Sequence, residues 1–267
     1  TFQHGGISME AEMGIRIARS RGDMVLVEKL QKLLLPFPDL DHHFANAFTH
    51  PRLVVFTADA PGEPQLAQWG LVPAWVKDND QRKTIWNQTL NARGETIFEK
   101  PAFRASATKK RCIVHVEGFF EHHHFGKRAY PYFIRLKDRE QFALAGLWEV
   151  WTDPDSHEAL HTFSIVTTQA NDLMRRIHNK PAGGPAKGAT EPRMPVILTE
   201  EEERLWLAPI HGAADQQALL QLIKPYPTDA MIAHSVRPLL GKDGGGNTPT
   251  ASEEFIYPEL LLADPLQ

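Results

Sequence analysis

Cysteine is almost missing from this chain: Cys112 is the only one among 267 residues. No disulfide can close within it, a cysteine-based zinc site is excluded, and a reducing cytoplasm is the expected setting. Long apolar runs are missing too. None approaches the roughly 20 residues that a membrane-crossing helix requires. The opening Thr1-Phe-Gln-His-Gly-Gly has no basic start followed by an apolar stretch, so no leader peptide is expected. Nor is there an overall surplus of positive charge. The chain carries 29 Lys/Arg against 33 Asp/Glu, a net charge of −4, which taken alone argues against a polyanionic partner.

The distribution of charge argues differently. Between Arg82 and Arg139 stand 13 basic and 5 acidic residues, leaving 16 basic and 28 acidic elsewhere. A basic centre on an acidic body is suited to a groove for nucleic acid; the same surplus spread over solvated faces would bind nothing. With 42% hydrophobic residues the chain can bury a sizeable core. No long linker divides it. One domain over residues 1–240 is expected, followed by a tail over 241–267 that starts with a glycine-rich, mobile stretch at 241–252.

Apolar residues recur at helical spacing from 9 to 35, broken at Gly22 and ended by Pro36 and Pro38, which predicts two short helices. Strands are predicted at 50–56, 65–71, 113–116, 132–136, 142–148, 161–167 and 195–198, where β-branched and aromatic residues gather. A short helix at 171–177 has Asn171 or Gln169 as candidate cap. Another begins at Glu200, its first turn acidic as the helix dipole favours. Many short strands with few long helices predict an α+β fold around one curved antiparallel or mixed sheet, barrel-like, with flanking short helices. The stretch Lys180–Pro192 reads as a flexible loop.

Several polar groups sit beside these apolar runs. Trp69-Gly-Leu-Val-Pro-Ala-Trp75 places two indoles around a turn, either as a platform for unpaired bases or as core. In an extended Thr89–Arg93, Asn91 and Arg93 share a side, where Arg93 suits a phosphate and Asn91 a substrate; the alternative is a hydrogen-bonded turn. Glu121 ends an apolar strand after Phe119-Phe120, which suits a general acid or base, though a strand-end glutamate in water reads the same. His122, His123 and His124 suggest a metal at first sight. Only two of them share a strand face, the following Phe125-Gly-Lys-Arg reads as a hairpin tip, and a solvated turn is the preferred reading. His178, at a helix C-terminus, suits a proton shuttle or a structural role. Cys112 follows Lys109-Lys110-Arg111, which favours a reactive thiol, yet a cysteine at a strand start is more often buried and is not taken as a nucleophile.

Taken together, these blocks resemble the SOS-response-associated peptidase (SRAP) family. The resemblance rests on Trp69–Trp75, Asn91-Ala-Arg-Gly-Glu-Thr96, Phe103-Arg104, Arg111-Cys112, Glu117-Gly-Phe-Phe-Glu121, Ala145-Gly-Leu-Trp148, Phe163–Thr168, Ile177-His178 and Arg193-Met-Pro-Val-Ile-Leu198. They keep the family's order over roughly residues 45–240, and residues 1–45 diverge from it. The resemblance implies capture of abasic sites in single-stranded DNA. The amine of an N-terminal cysteine condenses with the ring-opened sugar, and its thiol closes a thiazolidine that shields the lesion. It implies active-site roles for Asn91, Glu121 and His178, with Thr1 at the place of the N-terminal nucleophile. It further implies DNA contacts from Trp69, Pro73, Trp75, Arg93, Thr96 and Arg104. No cofactor or metal is implied. The expected partner is abasic single-stranded DNA, met by a monomer in the cytoplasm, on the nucleoid and not at a membrane.

Three departures qualify this. Neither Thr1 nor Phe2 supplies a thiol. Starting at Thr1, the expectation is reversible capture, or strand cleavage through an imine; a natural start on cysteine would restore the durable crosslink. The family's aromatic after the glutamate is His122, and 180–192 is an insertion between His178 and Arg193. The rival expectations are a single-stranded DNA-binding module that has lost crosslinking, and a thiol-type peptidase limited to removing its own initiator methionine.

Overall fold

The computed structural model describes residues 6–9, 11–36, 40–179, 191–260 and 265–266, and for 6–13 the backbone alone. Thr1, Pro38 and most of the predicted 180–192 loop lie outside the described residues.

Two helices, α1 (Ala11–Ser20) and α2 (Met24–Leu34), follow the short strand β1 (Gly6–Met9) and meet at Gly22 as the periodicity predicts. Asp23 caps α2 by accepting from the Leu26 amide at 2.9 Å, and Leu35-Pro36 follows its end. Then come β2 (His42–Asn46), β3 (Arg52–Thr57), β4 (Ala60–Trp69), α3 (Asn79–Trp86), β5 (Asn91–Arg93) and α4 (Arg104–Lys109). The middle of the chain is strand-rich: β6 (Arg111–Val116), β7 (Gly118–Phe125), β8 (Arg128–Leu136), β9 (Phe142–Thr152) and β10 (Ala159–Gln169). It ends with α5 (Asp172–Ile177), β11 (Arg193–Pro195), β12 (Ile197–Leu198), α6 (Glu200–Leu207), α7 (Ala213–Leu222) and β13 (Met231–Ser235).

Five strands close a ring. β10 runs parallel to β4, and β4–β3, β3–β6, β6–β9 and β9–β10 are antiparallel. This closed, mixed barrel realises the predicted curved sheet, and closure leaves its five strands without a bare edge. Leu53, Trp69, Leu147, Phe163 and Ile165, each fully buried, belong to one apolar cluster with it. A second, antiparallel sheet runs β13-β8-β7-β1-β2 beside the barrel. The predicted strand at 195–198 divides in two. β11 pairs with β10 and β12 with β9, while the Val196 amide donates to Val166 O and its carbonyl accepts from the Ala145 amide. The chain thereby bridges the point where β9 and β10 part.

Residues after β13 fold back on the molecule. Val236 bridges to Glu254, and the Asn247 side chain takes the Phe44 amide and donates to Asp41 O, both at 3.0 Å. The Val236–Glu254 bridge flanks the glycine-rich stretch 241–252 that was expected to be mobile, and Asn247 anchors it from within.

Arg111 corrects the reading of the basic centre. It is 1% exposed, and its guanidinium donates to the carbonyls of Ala107 and Thr108 at the end of α4 and of Trp206 and Ala208 at the end of α6. It neutralises two helix C-termini and faces no ligand. Lys110 pairs with the buried Glu149, and Arg128 with Glu259 at 3.1 Å. Part of the local surplus is thus taken up by carbonyls and carboxylates of the chain itself.

Candidate functional site

Glu121 stands in the middle of β7, not at its end. The strand continues through His122, His123 and His124, paired with Pro131, Tyr130 and Ala129 of β8. The expected solvated turn at the three histidines is therefore corrected. The turn comes at Gly126-Lys127, inside the expected Phe125-Gly-Lys-Arg tip, but the histidines precede it on the strand and His123 is buried. Alternation along the strand puts His123 on the face of Glu121 and His122 on the other.

Glu121 is 3% exposed and His178 is 6% exposed. Oε2 of Glu121 lies 2.9 Å from Nδ1 of His178, while Oε1 accepts the His122 amide at 2.8 Å. The 2.9 Å approach lacks hydrogen-bond alignment, and among the described residues neither of these two atoms has another hydrogen-bond partner. Buried polar atoms are ordinarily paired, so this couple is held ready for a ligand or for a proton passing between them. His178 reaches it from the end of α5. Asn171 caps that helix by accepting from the Met174 amide, and the His178 amide donates to Met174 O.

Asn91 arrives by another route. β5 runs parallel to the second half of β10, with Asn91 beside Ile165 and Arg93 beside Thr167. That half of β10 leads through Gln169 into α5. Asn91 is half-buried and Arg93 exposed, with fully buried Ala92 between them, so the predicted shared side holds. The backbone is kept close here by Gly94, where a Cβ would collide with Ile223 Cγ2. On the far side of β10, the buried Arg193 donates to Thr167 O at 2.7 Å and to Thr167 Oγ1, and pairs with Glu95 at 2.7 Å. The sequence marked Arg193 only as part of a matching block; its role as the bolt between β10 and the Asn91 turn was not legible.

The expected DNA contacts divide. Trp69 is fully buried, stacks on Phe163 and donates its indole N–H to Leu90 O at 2.9 Å. No base can reach its face, so the DNA-facing reading of Trp69 is corrected to core. Pro73 is buried as well. Trp75 is 48% exposed, tethered by its N–H to Pro101 O at 3.2 Å, on the turn that carries Lys100 and Arg104. Arg93 and Arg104 are exposed. Thr96 donates its hydroxyl to Arg93 O at 3.4 Å. Gly70 has φ +111°, and a Cβ there would strike the Trp86 ring, so the turn joining the two indoles requires glycine. Cys112 is fully buried, and burial pushes its thiol well above the usual range. Among the described residues no group of three His, Cys, Asp or Glu is placed to hold a metal, and no helix is long and apolar enough to cross a membrane.

Comparison with known proteins adds to this geometry. The family model described as "SOS response associated peptidase (SRAP)" matches residues 13–243. The abasic site processing protein YoqW of Bacillus subtilis (strain 168) is 40% identical over 174 residues, spanning 65% of this chain and 69% of that protein. The abasic site processing protein HMCES of Rattus norvegicus is 31% identical over 223 residues, 73% of this chain and 56% of that one. An X-ray crystal structure of a protein from Bacteroides thetaiotaomicron superposes with a TM-score of 0.77 at 37% identity, covering 95% of this chain and all of its own.

Proposed function

Because the chain belongs to the SOS response associated peptidase (SRAP) family, we propose that it processes abasic sites in DNA, capturing them covalently in single strands at the Glu121–His178 couple. The observation that carries this reading is the buried 2.9 Å approach of Glu121 Oε2 and His178 Nδ1. β1 lies antiparallel to β7 with Ile7 opposite Phe119, so the chain enters β1 from the side of Glu121. A nucleophile carried on the segment before β1 would arrive beside the carboxyl.

The chemistry follows from that placement. An amine attacks the aldehyde of the ring-opened sugar, and a C–N bond forms. The carbinolamine then loses water to give an imine, the departing hydroxyl taking a proton from the Glu121 carboxyl. His178 takes the proton that the nitrogen gives up as the C=N bond forms and passes it to Glu121, restoring the carboxyl. Asn91 orients the sugar from β5. An amine alone gives an imine, reversible or leading to strand cleavage; where an N-terminal cysteine supplies the amine, its thiol adds to the imine carbon and closes a stable ring. Trp75 stacks on an unpaired base, and Arg93, Arg104 and Thr96 meet the backbone. The protein acts as a monomer, in the cytoplasm on nucleoid DNA, without cofactor.

Intact mass measured before and after incubation with abasic single-stranded DNA, with and without borohydride, tests the reading. A borohydride-dependent adduct supports an imine and a borohydride-independent one a closed ring. No adduct, with DNA binding intact, would leave only a binding module. Glu121→Gln is expected to slow adduct formation by about 10²-fold while DNA affinity stays within about two-fold; an equal loss of affinity for abasic and intact strands would remove Glu121 from the chemistry.

A further inference from the structure

The couple at Glu121 is held by groups to which nothing above gives a chemical role. His123 lies two residues along β7 from Glu121, on the same face. Its Nδ1 is 3.0 Å from the carbonyl of Arg176 in α5. A carbonyl only accepts, so Nδ1 carries the hydrogen and the tautomer of His123 is fixed. On the other side of His178, Asn179 treats the backbone of His124 as a neighbouring strand would. Its Nδ2 donates to His124 O and its Oδ1 accepts the His124 amide, both at 2.8 Å. This happens on β7 beyond its described pairing with β1, which covers Phe119 and Gly118. The two anchors bracket His178, one two residues before it and the other immediately after.

We infer that His123 and Asn179 form a clamp that positions the His178 imidazole against the Glu121 carboxyl, locking α5 to β7 on both sides of the proton-carrying group. Neither residue touches the reacting sugar; both are positioning residues. The inference rests on the reading of Glu121 and His178 given above. It also gives one histidine of the run a role: the His123 imidazole bolts the strand to the helix, and the next residue lends its backbone. Both anchors of the clamp lie before residue 180.

The test compares Asn179→Ala, His123→Phe and His123→Gln with wild type and with His178→Ala. The reaction is borohydride-trapped adduct formation on an abasic single-stranded oligonucleotide, followed between about pH 5 and pH 8. Asn179 is exposed, so Asn179→Ala is expected to fold. Gln at 123 keeps an N–H for Arg176 O and is expected to retain the rate; Phe removes it. Asn179→Ala and His123→Phe are each expected to slow capture about ten-fold and to give the pH profile of His178→Ala, since a small misplacement of a catalytic group is costly. In the His178→Ala background, Asn179→Ala is expected to add less than about two-fold, because the group it positions is gone. NMR titration of the His178 ring reads the same clamp without turnover, its midpoint moving in Asn179→Ala and His123→Phe and holding in His123→Gln. A wild-type rate and an unmoved midpoint in Asn179→Ala would overturn the clamp. So would a full ten-fold loss persisting without His178. A wild-type rate in His178→Ala would instead overturn the functional reading itself.

Discussion

A tryptophan reads alike in sequence whether it faces a DNA base or the wall of a β-barrel. Trp69 and Trp75 stand six residues apart around one turn, and only the fold separates them. Trp69 is sealed against Phe163 with its N–H satisfied by Leu90, whereas nearly half of Trp75 is open to solvent. Opposite effects are therefore expected from the same change. Trp69→Ala should cost about 3–5 kcal/mol of stability, as loss of a fully buried large side chain does. Trp75→Ala should leave stability nearly intact and weaken single-stranded DNA binding by about 1–3 kcal/mol, the worth of one stacked base. Urea denaturation and fluorescence anisotropy separate the two, and unchanged affinity in Trp75→Ala would place the base platform elsewhere. Arg111 makes the same point for charge: the sequence counts it toward a basic face, and the fold uses it to close two helix ends.

At the scale of elements, what the sequence made legible was what a strong period carries. The paired helices broken at Gly22, the strands β6, β8, β9 and β10 and the acidic start of α6 all follow from spacing or composition. The elements missed are those whose residues do not alternate cleanly. α3 buries none of its side chains, β5 spans three residues, and β7 keeps three histidines in its run, which read as a turn because imidazoles suit water. Helix α6 was legible by its acidic first turn, and the fold adds a capping box: Thr199 accepts the Glu202 amide, and Glu202 accepts the Thr199 amide at 2.9 Å. Burial tends to raise the Glu202 carboxyl, but Lys224 at 2.8 Å and the Thr199 amide outweigh it, so its pKa falls below the ordinary 4.5. The sign follows. A carboxyl lowered by folding contributes stability above its ordinary value and loses that contribution as pH falls through the lowered value. Glu202→Gln should therefore be less stable than wild type near neutrality and converge with it as pH falls through the lowered pKa of Glu202. Chemical denaturation across that range tests this, and a constant gap would mean that the cap does not depend on the charge of Glu202.

At the scale of the whole molecule, a net charge of −4 and a DNA-processing reading conflict only if charge is averaged. The central surplus divides once the chain is folded. Arg111, Lys110 and Arg128 are committed to carbonyls and carboxylates, while Arg93, Lys100 and Arg104 remain exposed around Trp75 and the Asn91 turn. Beside the site, these three residues can neutralise as many phosphates. Each phosphate contact on a single strand contributes about −0.7 to the slope of log affinity against log salt, so three free cations set a shallow slope of about −2. Arg104→Ala should flatten that slope by about 0.7 and weaken abasic and intact strands alike. At saturating DNA it should leave the rate of adduct formation unchanged, because Arg104 holds the strand and has no part in the proton transfer. Anisotropy titrations at several salt concentrations give the slope, and trapping at saturation gives the rate. A slope far steeper than about −2 in wild type would mean that DNA follows a longer basic path than these three residues provide. A fall in the saturated rate would bring Arg104 into contact with the sugar itself.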